Sequence, residues 1–133
     1  MSRQNAQTAL RGIEAYNRRD VDGVAELTTA DFEWLPALPG ALESEGYRGR
    51  DGVEQYFAEI DRTWEELRIV VDDVREVGEG ALVLGRTEGR GRASGVQVNA
   101  PIGIVFDFRR GRAWRVRAYL DQADALKAAG LKR

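Results

Sequence analysis

Three consecutive segments organise this chain: ALVLGRTE (Ala81–Glu88), VQVNAPIGIVFDF (Val96–Phe108) and AWRVRAYLD (Ala113–Asp121). In the second, Val96, Val98, Ala100, Ile102, Ile104, Phe106 and Phe108 occupy every even position and are apolar throughout. The odd positions Gln97, Asn99, Pro101, Gly103, Val105 and Asp107 are mixed. Alternate side chains of a strand point to opposite faces, so this pattern predicts one dry face. Short Gly-rich breaks join the three segments, as expected of an antiparallel meander.

Composition narrows the chemistry. A chain of 133 residues that is 43% hydrophobic fits one globular domain, 1–133. Twenty basic against 22 acidic residues leave a net charge of -2, and nothing argues for a nucleic-acid or membrane surface. Cysteine and histidine are both absent. Disulfides, thiolate nucleophiles and Ser-His-Asp chemistry are therefore excluded, and zinc would find only carboxylates. Acid/base work falls to Asp, Glu, Tyr or Lys. The first residues, MSRQNAQTAL, lack a signal-peptide apolar core, which points to a cytoplasmic protein.

Upstream of the meander the pattern turns helical. Ala6, Ala9, Leu10, Ile13, Tyr16 and Asn17 recur at helical spacing across residues 4–19, with Ser2 or Asn5 as possible caps and Gly12 as a weak point. Tyr16 lies in that apolar stripe, which favours a core role over a catalytic phenol. Asp20 reads as the cap of a short helix over residues 21–28. Residues 31–35 alternate as a short strand, and 36–50 read as a long loop or loose hairpin. Asp51 and Glu54 have capping-box spacing ahead of a stripe of Val53, Tyr56, Phe57, Ile60 and Trp64. Truncating a buried Trp64 to Ala would cost roughly 3–5 kcal/mol. Residues 67–77 alternate, then change parity at Val74, so a bulge is expected near Asp72–Asp73. Asp121 is placed to cap a last helix over 122–129 that stops at Gly130.

The order of elements, with AYNRRDVDGVAELTTADFEW (15–34), YRGRDGVEQYFAEI (47–60) and WRVRAYLDQADAL (114–126), resembles the SnoaL-like branch of the nuclear transport factor 2-like superfamily. The resemblance implies a cone-shaped α+β barrel: three N-terminal helices packed against a strongly curved, mixed, mainly antiparallel sheet, with a short C-terminal helix. It also implies an interior pocket and a common homodimeric state. Relatives include polyketide cyclases, ketosteroid isomerases, limonene-epoxide hydrolases, dehydratases and non-catalytic association domains.

The residues that carry those chemistries are mostly replaced here. Ketosteroid isomerases place a general-base Asp just before the proline after the first strand; Leu35 precedes Pro36. Their tyrosine one turn before Tyr16 is matched by Gly12. The Arg-x-Asp pair of limonene-type hydrolases is matched by Arg86-Thr87-Glu88, with Glu for Asp. Their last-strand Asp is matched by Ala118, and their first-strand Tyr and Asn by Phe32 and Trp34. Asp121 lies where SnoaL-type cyclases keep an acid, but its parity places it outside, where capping suits it better.

Arg86 and Glu88 are the remaining candidate catalytic pair. They share parity with Leu82 and Leu84, so in a regular strand they face the dry interior. An apolar cavity raises a carboxylate's pKa and a neighbouring guanidinium lowers it, so Glu88 could act as a base or sit in a satisfied ion pair. Tyr16, Trp34, Tyr56, Leu84, Val98, Ile102, Ile104, Trp114, Val116 and Ala118 are the expected pocket lining. The row Arg115, Arg117 and Tyr119 is a candidate dimer surface. GRTEGRGRASG (85–95) lacks the context of a phosphate loop and reads as a hairpin turn. Two functions stay open: a cofactor-free enzyme on a small hydrophobic molecule, or a non-catalytic ligand-binding or association domain. No metal or other cofactor is expected.

Overall fold

The computed structural model of the chain describes residues 2–37 and 46–130. It is an α+β fold. Helices α1 (Ser2–Arg18) and α2 (Val21–Leu27) precede strand β1 (Thr28–Leu35), a two-residue strand β2 (Tyr47–Arg48) and helix α3 (Gly49–Thr63). Strands β3 (Trp64–Val77), β4 (Gly80–Gly91), β5 (Gln97–Arg109) and β6 (Arg112–Tyr119) follow, and α4 (Gln122–Ala128) ends the described chain. The six strands form one sheet in the order β2-β1-β6-β5-β4-β3. Among the described residues only β1 and β6 run parallel, and the sheet is open, with β2 and β3 as its edges.

Local chemistry sets most element ends. At the end of α1, Arg19 takes a left-handed conformation with φ 56°. Its N–H donates to the Tyr16 carbonyl (3.0 Å) and that of Asp20 to the Ala15 carbonyl (2.9 Å), a Schellman ending. A non-glycine residue there costs about 1–2 kcal/mol. The Arg19 guanidinium offsets this by donating to the carbonyls of Tyr16 and Leu67, each at 2.7 Å, which ties α1 to β3. Asp20 caps α2 by accepting from the Gly23 N–H (2.9 Å), and Asp121 caps α4 by accepting from the Ala123 N–H (2.8 Å). By contrast, α3 starts at Gly49, with Arg48 as an N-cap that makes no side-chain bond. Asp51 is thus inside the first turn, where its charge suits the helix dipole, and it does not begin the helix. Of the expected loop 36–50, residues 38–45 lie outside the described chain, while Tyr47 and Arg48 pair antiparallel with Trp34 and Glu33.

The sheet carries a core on each face. On the inner face Phe32, Trp34, Leu67, Ile69, Ala81, Val83, Ile102, Ile104, Phe106 and Val116 pack against Ala9 and Ile13 of α1 and Val53, Tyr56, Phe57 and Ile60 of α3. A smaller outer cluster joins Leu82 and Val105 to Ala125 of α4, with Leu84 packed alongside. The bulge expected near Asp72 exists: the β3–β4 register shifts between Val71 and Asp73. Val96 lies before β5 and is 60% exposed, so the dry row begins further along the strand. Trp64 opens β3 and is only half-buried against the core, so the cost expected of a fully buried tryptophan does not apply to it.

Candidate functional site

Between the inner face of the sheet and helices α1, α2 and α3 lies a cavity of about 70 Å³. Gly12, Ile13 and Tyr16 come from α1, Val24 and Leu27 from α2, and Phe32 and Trp34 from β1. Val53, Tyr56 and Phe57 of α3 face Ile69, Ile104, Phe106, Ala113 and Val116 of the sheet, and Thr8 and Thr28 complete the wall. No charged side chain is among these described lining residues.

An aromatic cluster forms part of the wall. The hydroxyls of Tyr16 and Tyr56 share a hydrogen bond of 3.1 Å. The Trp34 ring stands edge-on to both, with centroids 6.1 Å from Tyr16 and 5.6 Å from Tyr56. Burial raises the Tyr16 pKa, against the lowering by the Tyr56 hydrogen bond and by Arg19. Burial also raises Tyr56, strongly, and Tyr16 adds to this. Both phenols therefore stay protonated at neutral pH and act as hydrogen-bond donors, not bases. The Trp34 Nε1 is buried, and its interaction with the Tyr56 hydroxyl lowers that phenol's pKa against the larger effect of burial. Behind Tyr16, the Arg19 guanidinium lies 5.3 Å from its ring centroid and 5.9 Å from that of Phe57. Tyr47 donates to Glu59 at 2.5 Å, joining β2 to α3; burial and that carboxylate push its pKa up to about 12.

Of the residues singled out in the sequence, Tyr16, Trp34, Tyr56, Ile104 and Val116 meet at the cavity. Ile102 and Ala118 belong to the surrounding core, and Val98 lies in an open groove beside Asn17 and Leu67. Leu84, Arg86, Glu88 and Trp114 are on the other face. Leu82 is buried and Leu84 partly buried in the cluster with Ala125 of α4, so their parity marks the outer row of β4; Ala81, Val83 and Thr87 form the inner one. Arg86 and Glu88 thus face outward, 39% and 31% exposed, and pair with each other at 3.0 Å. Arg68 meets Glu88, and Asp72 meets Arg86, each at 3.4 Å. Trp114 leaves the inner row because β6 bulges: Asp107 pairs with Arg115 and Phe108 with Ala113. Its ring is flanked by the guanidinium groups of Arg109 and Arg115, 4.5 and 4.7 Å from the centroid.

Gly12, Phe32 and Phe57 line the site, and Arg19 lies behind it, beyond the residues the sequence singles out. Gly12 carried a readable signal, since a glycine in the apolar stripe of a helix leaves room on the buried side. Arg19 carried none, because its role depends on the Leu67 carbonyl 48 residues away.

The model of the SnoaL-like domain family matches residues 9–116. The chain belongs to the SnoaL-like family. Among solved structures, Bal32a from a soil-derived mobile gene cassette is similar, with 22% identity and a TM-score of 0.79 over 96% of each chain. An NTF2-like protein of unknown function from Burkholderia pseudomallei is 26% identical (TM-score 0.76), over 93% of this chain and 95% of that one. A candidate SnoaL-like polyketide cyclase from Jannaschia is 20% identical (TM-score 0.77), over 99% and 95%. These likenesses are of fold. No curated protein matches the chain significantly. Among the described residues of this SnoaL-like domain, no helix is long and apolar enough to cross a membrane, and no acidic cluster is arranged to hold a metal.

Proposed function

We propose that this SnoaL-like protein binds a small, largely apolar molecule in the cavity, without proton transfer by a carboxylate there. The observation that carries this reading is the wall itself: apolar, aromatic and uncharged among its described residues. Concave, mainly apolar sites with a few polar groups are what small-molecule binding needs. The Arg86–Glu88 pair supports the same conclusion from outside, as part of a surface ion network with little energetic weight. Titration with 2-methyl-1-butene, followed by methyl NMR, tests it. The methyls of Ile13, Val53, Ile104 and Val116 are expected to shift saturably, and those of Leu82 and Val105 to stay. No saturable shift at the inner methyls would overturn the reading.

We further propose a cytoplasmic homodimer that uses the outer face of β6. Trp114, Arg115, Arg117 and Tyr119 stand together there, and the Nε of Arg117 is buried without a partner. Trp, Tyr and Arg are favoured at interfaces. Sedimentation of a single 14.8 kDa species at micromolar concentration would exclude it.

A further inference from the structure

Strand β5 outruns its neighbour β6. Pairing with β6 covers Gly103 to Arg109, whereas pairing with β4 begins at Gln97. Residues 97–102 therefore have β4 on one side and, among the described residues, no strand on the other. The backbone groups of an antiparallel strand address its two sides alternately. The Val96 carbonyl accepts from the Gly91 N–H of β4 at 2.9 Å, so even residues here address β4. Gln97, Asn99 and Pro101 then address the open side. Pro101 suits that place, since a proline nitrogen has no proton to give to a ladder. Two N–H donors and three carbonyls thus point out along the edge. Free edges are usually blunted by charge or by cover. The β3 edge is covered: Asn17 donates to the Ile69 carbonyl and accepts from its N–H, both at 2.9 Å, and Arg19 donates to the Leu67 carbonyl at 2.7 Å. On β5 no charged residue occurs from Ala93 to Phe106, in a chain that is 32% charged. Its one blunting residue, Pro101, still offers a carbonyl.

We infer that this edge pairs antiparallel with the same edge of a second copy of the chain, about a two-fold axis at Asn99. Asn99 of one copy then stands opposite Asn99 of the other, and Gln97 opposite Pro101. Every outward N–H finds a carbonyl: Asn99 donates to Asn99, and Gln97 donates to Pro101. The proton that proline lacks leaves only the Gln97 carbonyl to water. Charge favours a second copy, because identical charged edges would set like charges against each other, and this edge carries none. The flanking charges on β4, Arg86 and Glu88, are already paired at 3.0 Å. The apolar side chains agree. Val96 and Leu120 are the exposed large hydrophobic residues of the described chain, at 60% and 48%. Tyr119 pairs with Gly103, so Leu120 follows at the level of Ile102. In this register Val96 of one copy falls opposite Ile102 of the other, and so beside its Leu120. Val98 falls opposite Ala100, each half-buried in the single chain. One contact thus covers both exposed residues and joins two six-stranded sheets into one. It is separate from the contact proposed on the outer face of β6 and does not depend on it.

Amide hydrogen exchange, followed by NMR over a series of protein concentrations, tests the pairing. In the single chain the amides of Gln97 and Asn99 exchange freely, while those of Val98 and Ala100, which address β4, are protected. Exchange at Gln97 and Asn99 is expected to slow about tenfold when about nine-tenths of the chains are paired, because it then proceeds from the unpaired remainder. A contact through the outer face of β6 would not protect these two amides. Asn99→Lys sets two like charges at the axis and is expected to remove the concentration dependence, with Val98 and Ala100 still protected as proof of the fold. Asn99→Cys gives a second measurement, because the chain has no cysteine. Opposed residues of a hydrogen-bonded pair have Cα atoms about 5.5 Å apart, within reach of a disulfide. Mild oxidation should therefore cross-link Asn99→Cys faster than Arg110→Cys, which lies in the exposed turn between β5 and β6. Free exchange at Gln97 and Asn99 at every concentration overturns the inference. Protection that neither dilution nor Asn99→Lys removes overturns it too, since the cover would come from within one chain. Cross-linking no faster than at Arg110→Cys does the same.

Discussion

Replacing Gly85 by alanine is expected to lower stability by roughly 3 kcal/mol or more, or about 10 °C in melting temperature. Gly85 lies in β4 opposite Val71, beside the point where β3 bulges at Asp72. A Cβ at Gly85 would collide with the Val70 carbonyl oxygen, and would lie 3.0 Å from the Val70 carbonyl carbon and 3.2 Å from the Val71 Cα. These are backbone atoms of the neighbouring strand, so no side-chain rotation relieves the clash. The strands would have to separate at the bend, where Gln122 of α4 also donates to the Gly85 carbonyl at 3.1 Å. One added carbon therefore disturbs the edge of the inner core and the seat of α4 together. A thermal melt monitored by far-UV circular dichroism checks this. A fall of only a degree or two would mean that the bulge is soft and that its tight approach is not needed for the fold.

That bulge was legible in the sequence, whereas the face it shapes was not. The change of parity between Val71 and Val74 announces an extra residue, because alternation cannot otherwise change phase. The caps at Asp20 and Asp121 were legible for a similar reason: each bond spans two or three residues. The inner face of β4 depends on distant packing. Its two rows, Leu82/Leu84 and Ala81/Val83, are both apolar, since α4 covers one and the main core the other. Hydrophobicity then says that both faces are dry, not which one encloses the cavity. The larger leucines favour an inward reading of their row, which carries Arg86 and Glu88 with it by parity, whereas packing against α4 turns that row outward. Trp114 leaves the alternation for a different reason. Nothing local marks the β6 bulge, which arises from its pairing with β5. Tyr16 and Tyr56 line the cavity from helical stripes, where burial and periodicity agree.

Replacing Gly12 by leucine is expected to abolish uptake of 2-methyl-1-butene while leaving the protein folded. Gly12 is in the middle of α1 and lines the cavity. A Cβ there would meet only the Phe106 ring edge, at 3.8 Å, an ordinary contact. Glycine in a helix interior costs about 1 kcal/mol relative to alanine. Gly12→Ala should therefore raise the melting temperature by about 3 °C and leave room for the ligand. Leucine keeps most of that helical gain and adds three more carbons, which occupy the space between Phe106 and Tyr16 in a cavity of only about 70 Å³. Overpacking costs typically 1–3 kcal/mol, so the net stability should stay near that of the wild type. The helix is thus less stable at this position than it could be, and the empty volume beside Gly12 is what that loss provides. Methyl NMR titration of a folded Gly12→Leu protein decides the matter. Retained binding at Ile104 and Val116 would show that the ligand occupies another part of the cone.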